Sequence, residues 1–552
     1  MGLRAHLTVM AVAALLIPFA GAAERTVTVL YTADVHARVL PCDEIRRAPA
    51  RGSLAQVASL VAAVRRESPL LIVLDGGDTI QGTPLAHYAL TDKQGSGFDP
   101  SVAAMNLAGY DAAVLGNHEF NYGLEVLARS IRQSRFPWLA ANLEGAVEAG
   151  LQVQPAVILQ RGGVRIGVLG LTNPNVPNWD PPSHWQGLAF LDPVEVAREQ
   201  VAALRPKVDI LVVVAHGGVE RDLDGGEETG SGPENFAWEL TQIEGIDLLL
   251  TGHTHRNIPP RPAGNTVVAQ PGRWAELVTR VDIDLRRRGN RWQVVGWRGE
   301  NIPTAGLQPD ERVVAAVEQV RLNMLARLDE EVGRLARSLV LGGVPTRDDP
   351  ATDLIHRVQL WATEAHLSLA APLAMARMEV PAGPVTPRVL HALYPYPNTL
   401  VAVALTGAQV RDVLEHAVRG WSGVECRSPA PCVLHRDPRL PGYSYDTLEG
   451  ATYAVDVGAP PGERIRGLRV GGVPIDSKGT YSVAVNSYRA SGAGGFPHLK
   501  QASRLREINR QMVDLLADYF REHGAVDPEA SDNHFFVFPL AAEFPASEAA
   551  AP

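Results

Sequence analysis

Short apolar runs recur through the first half of the chain, with helical spacings between them. Val27 to Tyr31, Leu70 to Leu74, Ala112 to Leu115, Arg165 to Leu169, Ile210 to Val214 and Leu248 to Leu250 read as buried strands. Leu54 to Arg66 and Pro193 to Leu204 read as helices. Strands alternating with helices predict a layered α/β domain over 24–305. Pro309-Asp310 then opens a helix-rich segment, Gln308 to about Leu339, with Val, Leu and Met at helical spacing and charges between them. The spacing predicts a connecting helix over 306–339 and a second α/β domain over 340–540. The tail, 541–552, is rich in Ala, Pro and Glu and is expected to be disordered. At 552 residues the chain is too long for one ordinary core, so two domains agree with its length.

The first 23 residues have the pattern of an export signal. Arg4 lies in a short polar start, Thr8 to Ala20 is apolar but too short to span a bilayer comfortably, and Ala20-Gly21-Ala22 offers small residues for cleavage. No later run is long and apolar enough to cross a membrane, so a soluble periplasmic or secreted protein is expected, with no membrane contact after cleavage. An oxidising compartment would allow Cys426 and Cys432 to pair and close a small loop, leaving Cys42 over. The formal net charge of −10 does not suit a nucleic-acid polymer binder. An anionic substrate would therefore need local positive charge, which metal ions could supply.

Five of the apolar runs end in metal-seeking side chains. They lead in turn to Asp34-Val35-His36, Asp75-Gly76-Gly77-Asp78, Gly116-Asn117-His118-Glu119, His216-Gly217-Gly218 and Gly252-His253-Thr254-His255. Ligand sites of open α/β sheets lie beyond the carboxyl ends of their strands, where loops converge. Residues two apart in extended chain face the same way, so Asp34 and His36 can aim at one ion, as can His253 and His255. Carboxylate, imidazole and amide donors suit Mn, Zn, Co or Fe, and no cysteine belongs to the set. Asp34, His36, Asp78, Asn117, His216, His253 and His255 are too many for one tetrahedral ion. They fit two divalent ions about 3.5–4 Å apart, with Asp78 as the bridge because its Gly-Gly loop frees it to sit between them. Asp75 reads as a loop carboxylate bonding local amides. Each motif alone also fits a structural role; their conjunction at five successive strand ends is what points to a metal centre.

In this order the motifs resemble the calcineurin-like metallophosphoesterases, and Gly116-Asn117-His118-Glu119-Phe120-Asn121-Tyr122-Gly123 resembles the 5′-nucleotidase family. Leu393-Tyr394-Pro395-Tyr396-Pro397-Asn398-Thr399-Leu400, Thr406-Gly407-Ala408-Gln409-Val410 and Asn486-Ser487-Tyr488-Arg489-Ala490-Ser491-Gly492 resemble its 2′,3′-cyclic-nucleotide 2′-phosphodiesterase/3′-nucleotidase branch. Gly442-Tyr443-Ser444-Tyr445-Asp446 and Pro271-Gly272-Arg273-Trp274 add to this. The resemblance implies a four-layer β-sandwich flanked by helices, plus a second α/β domain that binds substrate. It implies one metal on Asp34, His36, Asp78 and His255 and another on Asp78, Asn117, His216 and His253, with His118, and Asn121 beside it, as the catalytic pair. It also implies that Tyr396 and Tyr488 sandwich a base, with Asn398 beside the first. Stacking of this kind is worth about 1–3 kcal/mol per base.

Two positions depart from the 5′-nucleotidase pattern. Asn121 stands where those enzymes often have Asp, and a neutral amide cannot hold His118 protonated as a carboxylate would. The cyclic-phosphodiesterase branch shares this Asn. In place of a Gly-rich, Arg-containing loop the chain has Ala371-Pro372-Leu373-Ala374-Met375-Ala376-Arg377, so only Arg377 is available there for phosphate. The expected protein is a monomeric, metal-dependent hydrolase of nucleotides or cyclic nucleotides. A 5′-nucleotidase/UDP-sugar hydrolase, a thiosulfohydrolase of the same fold and a non-catalytic nucleotide-binding protein are the alternatives.

Overall fold

The computed structural model describes residues 24–537, apart from 93–94, 225–226, 228–231, 343–347, 375–376, 426–432, 438–439 and 441. The signal segment, the tail and the Cys426/Cys432 pair lie outside the described residues. No helix among the described residues is long and apolar enough to cross a membrane.

The apolar runs of the first half become the middle strands of two sheets. One sheet has the order Arg291–Pro303, Leu277–Arg288, Glu24–Thr32, Leu71–Asp75, Ala112–Val114, Trp138–Leu139 and Val153–Gln154. The other runs Asn257–Ala263, Thr266–Pro271, Leu248–Thr251, Ile210–Ala215, Val164–Leu171 and Ala156–Arg161. The sheets face each other across a core of Val27, Val29, Tyr31, Ile72 and Leu74 against Ile166, Val168, Val212, Val214 and Leu250. Alternate residues of the same strands, such as Leu30 and Val73, point outward and pack under helices Leu54–Glu67, Pro100–Ala108 and Leu124–Gln133. Helix Pro193–Leu204 covers the other sheet. Because both faces of these strands are buried, they read as continuous apolar runs. The result is four layers, helix, sheet, sheet, helix.

Parallel pairing aligns the strand ends. Thr32 pairs with Asp75, and Asp75 with Ala113. In the second sheet Ala215 pairs with Thr251. Each of these strands therefore releases its loop at one edge of the sandwich, which is where all five metal-seeking motifs lie.

The connecting helix is shorter than its sequence pattern predicts. It runs Glu311–Leu328, capped by the Asp310 carboxylate accepting from Arg312 N–H. Val313, Val317, Met324 and Leu328 bury into the first domain's core. The chain then enters the short strands Gly333–Leu335 and Leu339–Leu341. At Gly333 a side chain would meet the Phe520 carbonyl oxygen at 2.8 Å, so close backbone packing replaces helix there. The antiparallel hairpin of Leu277–Arg288 and Arg291–Pro303 carries no strong apolar run, because much of its outer strand is exposed.

The second domain is built on a sheet of order Thr447–Glu449, Leu367–Ala370, Thr480–Asn486, Leu400–Thr406 and Ser503–Ile508. Apolar layers cover both faces, one including helix Gly407–Ala417 and the other helices Pro350–Thr363 and Met512–His523. Leu400 pairs with Asn486 antiparallel, so the segment before one strand and the segment after the other meet at one sheet edge. Tyr396 and Asn398 precede the first; Tyr488 follows the second.

Gly77 shows how tightly the metal-seeking loops are packed. Its φ is +90°, and an added Cβ would stand 2.4 Å from Gly116 N. Gly77→Ala is expected to destabilise the fold by about 1–3 kcal/mol from backbone strain alone. Denaturant unfolding measures this, and an unchanged midpoint would show that the two loops can part at little cost.

Candidate metal centre and adjoining pocket

The loops that leave the strand ends hold one another through backbone hydrogen bonds. Asp34 N–H donates to Gly77 O at 3.0 Å, His36 N–H to Asp78 O at 2.8 Å and Ala37 N–H to Thr79 O at 3.0 Å. The price of this close packing is unusual backbone geometry. Asp34, His36, Asp78, His253 and His255 have φ between 48° and 69°, in the left-handed region. Such non-glycine residues are uncommon, each costs about 1–3 kcal/mol, and they cluster where function requires them.

All seven sequence-predicted donors converge. Asp34, Asp78 and His216 are fully buried, and Asn117 nearly so. The donor atoms of Asp34, His36 and His255 lie within 4.8 Å of one another, as do those of Asp78, His216 and His253. His36 Nε2 and His255 Nε2 face each other at 2.9 Å. His216 Nε2 lies 3.1 Å from Asp78 Oδ2, and Asn117 Oδ1 lies 3.1 Å from His216 Nε2 and 3.0 Å from His253 Nδ1. His253 N–H donates to Asp34 Oδ1 at 2.8 Å, and His216 Nδ1 donates to Gly76 O at 2.7 Å. The second bond fixes which His216 nitrogen faces the cluster.

Electrostatics in the cluster reflect burial working against charge. Burial raises Asp34 well above the usual carboxylate range, despite the opposing pull of His216. At Asp78 burial is overcome by His216 and His118, which hold the group well below that range. Burial would depress His216, but Asp78 lifts it to about 10. Burial and the charge of His216 press His253 down to about 3, and burial also lowers His255 to about 4. Depressed imidazoles offer lone pairs, and two buried carboxylates call for positive charge. With an amide oxygen and no thiolate, the set would suit hard or borderline divalent ions.

His118 stands at the rim with its side chain 31% exposed, its Nε2 3.9 Å from Asp78 Oδ2. Its Nδ1 lies 2.5 Å from Asn121 Oδ1. Asp75 accepts from Gly77 N–H and from the Thr32 and Thr79 hydroxyls, so it braces the loop. Glu119 is a functional residue that the motif contained but did not explain. Its carboxylate accepts from the backbone N–H groups of Asp78, Thr79, Ile80 and Gly116 at 2.6–3.2 Å. It thereby clamps two donor loops together.

In the second domain Tyr396, Asn398 and Tyr488 line one cavity of about 150 Å³ with Tyr443, Asn486 and Arg489. Tyr396 and Tyr443 meet edge to face at 6.0 Å. Arg489 is buried, pairs with Asp446 at 2.7 Å and lies 5.4 Å from the Tyr488 ring centroid, supporting that ring. Arg377 is exposed and does not line the cavity; Arg489 is the guanidinium that does. Tyr443 and Arg489 lie inside family motifs, yet only the packing shows what they do. Burial, Tyr443 and Tyr488 raise the Tyr396 phenol, and Arg273 of the first domain opposes them. Arg273 Nη1 is also 3.4 Å from His255 Nδ1, so this cavity adjoins the donor cluster.

Residues 27–257 match the calcineurin-like phosphoesterase model, and residues 326–501 match the 5′-nucleotidase C-terminal domain model. The chain belongs to the 5′-nucleotidase family. As such it is a metal-dependent phosphoester hydrolase acting on nucleotides. Over 93% of its length it is 28% identical to a Yersinia enterocolitica 2′,3′-cyclic-nucleotide 2′-phosphodiesterase/3′-nucleotidase, 88% of which is covered. It is also 28% identical over 93% of its length to a Bacillus subtilis (strain 168) trifunctional nucleotide phosphoesterase, but spans only 39% of that protein. A Staphylococcus aureus structure assigned as a 5′-nucleotidase superposes with TM-score 0.80 at 27% identity, covering 93% of this chain and 99% of that one. The family resemblance and its two-domain α/β architecture are thus shown by fold and by sequence.

Glu119→Ala would strip an acceptor from four backbone N–H groups. Each buried group left unsatisfied costs about 1–3 kcal/mol. The expected outcome is a lower melting temperature together with a lower metal content by atomic emission. Unchanged melting with full metal content would show that the loops hold without this clamp.

Proposed function

We propose that this family member is exported and acts as a 2′,3′-cyclic-nucleotide 2′-phosphodiesterase and 3′-nucleotidase, releasing nucleoside and phosphate. The observation that carries the reading is the tyrosine-lined cavity beside the buried donor cluster, which suits a base at one end and a phosphate at the other. The match along most of the length of the Yersinia relative, and of a Salmonella typhimurium relative with the same activity in its name, supports the finer assignment. Asn121 and the Tyr396 and Tyr488 segments agree with that branch.

On this reading Asp34, His36, Asp78 and His255 hold one cation, and Asp78, Asn117, His216 and His253 hold the other. The two ions, when bound, lower the pKa of water and neutralise phosphoryl oxygens. His118 faces the phosphoryl group from the rim, where it stabilises charge or protonates the leaving oxygen, a role worth about 10²–10⁴-fold. Tyr396 and Tyr488 position the base by stacking, and Arg489 keeps the Tyr488 ring in place.

The test is phosphate release from 2′,3′-cyclic AMP, 3′-AMP and 5′-AMP, with added Mn and again after EDTA. Turnover of the first two above the third, lost on chelation and restored by Mn or Co, is expected. Preference for 5′-AMP would move the protein to the 5′-nucleotidase reading, and turnover that survives chelation would remove the metals from the chemistry. Separately, Tyr396→Ala and Tyr488→Ala are expected to raise KM about 5–150-fold, as loss of about 1–3 kcal/mol of stacking implies, with a smaller change in kcat. Unchanged KM in both variants would exclude base stacking at this cavity.

A further inference from the structure

His118 does not end its contacts at Asn121. The Asn121 amide nitrogen donates to both carboxylate oxygens of Asp180, at 3.0 Å each. Asp180 lies 59 residues away in sequence and is buried. It also accepts from His184 Nδ1 at 3.2 Å, and its backbone oxygen accepts from Trp185 Nε1 at 3.1 Å. Trp179, its neighbour in the chain, stacks on His253 at 5.3 Å. Asp180 therefore sits on a segment braced against both the His118–Asn121 pair and the donor cluster.

The geometry points to Asp180 as a positioning residue for His118, acting through the Asn121 amide. A carboxylate accepts hydrogen bonds and cannot donate them. Facing two such oxygens, the Asn121 amide must present its NH₂ to Asp180 and its oxygen to His118. That oxygen is also only an acceptor, so His118 Nδ1 must carry the proton in the bond between them. The other ring nitrogen, Nε2, is then the one left to face the phosphoryl group, and the acid role requires a second proton at that nitrogen while Nδ1–H stays on Asn121. A neutral asparagine can adopt either amide orientation with similar ease, and the choice is made by the charge behind it. Asn121 alone could not select the His118 tautomer; Asn121 with Asp180 can.

The inference rests on the phosphohydrolase reading only for its kinetic arm. Asp180→Asn keeps the shape of the side chain but makes the two Asn121 orientations nearly equivalent. Loss of an outer partner that orients a functional histidine typically costs about 10–100-fold. The expected result is a kcat reduced by that factor on whichever substrate the wild type turns over, with KM within about twofold and metal content unchanged. The double variant N121D/D180N moves the carboxylate next to His118 and is expected to recover most of the lost kcat. N121D alone sets two carboxylates face to face and is expected to be less active than the double variant. An independent readout is ¹⁵N-histidine NMR: the wild type should show His118 protonated at Nδ1, and D180N a mixture of tautomers. Wild-type kcat and an unchanged tautomer in D180N would overturn the assignment, as would failure of N121D/D180N to improve on D180N. If the wild type turns over none of the nucleotides, the functional reading falls while the NMR comparison still decides the role of Asp180.

Discussion

Asp34 and Asp78 are buried side by side at the edge where two sheets meet, and much of the first domain exists to hold them there. Burying two carboxylates without compensation is prohibitively expensive. Here the compensation comes from imidazoles and backbone amides, and divalent cations held by the donor set would add to it. His216 stands against Asp78, and His253 N–H bonds Asp34. The left-handed backbone at five of the seven donors is the mark of this arrangement, since side chains can converge so closely only if their loops bend sharply. The glycines beside them allow the loops to touch, and Glu119 ties the loops by their amides.

The second domain supplies what a cluster of charges cannot, a tyrosine-lined cavity of the kind that the proposed base stacking needs. Tyr396, Tyr443 and Tyr488 come from three separate segments, yet strand pairing between Leu400 and Asn486 brings two of them to one edge. The buried Arg489–Asp446 pair under this cavity is neutral as a unit, so it stiffens the wall without adding net charge to it. Arg273 lies 3.4 Å from His255, and its charge also acts on Tyr396 of the second domain. The proposed division of labour would match a nucleotide, which has one charged end and one aromatic end.

The candidate metal donors are legible in the sequence because their chemistry is local. An apolar run that is abruptly followed by Asp, His and Gly shows both the strand and the ligand in a few residues. The four-layer arrangement follows from strands alternating with helices and from the family resemblance. Other features leave no such trace. The Leu277–Arg288 and Arg291–Pro303 hairpin is too polar on its exposed face to stand out. Arg377 lies in the loop where the family pattern places an arginine, but it is exposed to solvent, whereas Arg489 is held at the cavity by Asp446.

Residue order alone is enough to pick out the candidate donors, and by resemblance the tyrosines and the family, because each is carried by a short motif. It does not show that Glu119 clamps two loops, that Tyr443 completes a cavity wall or that Asp180 stands behind Asn121. Those relations join groups tens of residues apart, and a single Asp or Tyr has no periodicity to announce its partner. Only packing brings them within hydrogen-bond reach, and hydrogen bonds depend on separations of tenths of an ångström. The motifs therefore give the chemistry of the site, and the folded chain gives the orientation in which that chemistry is held.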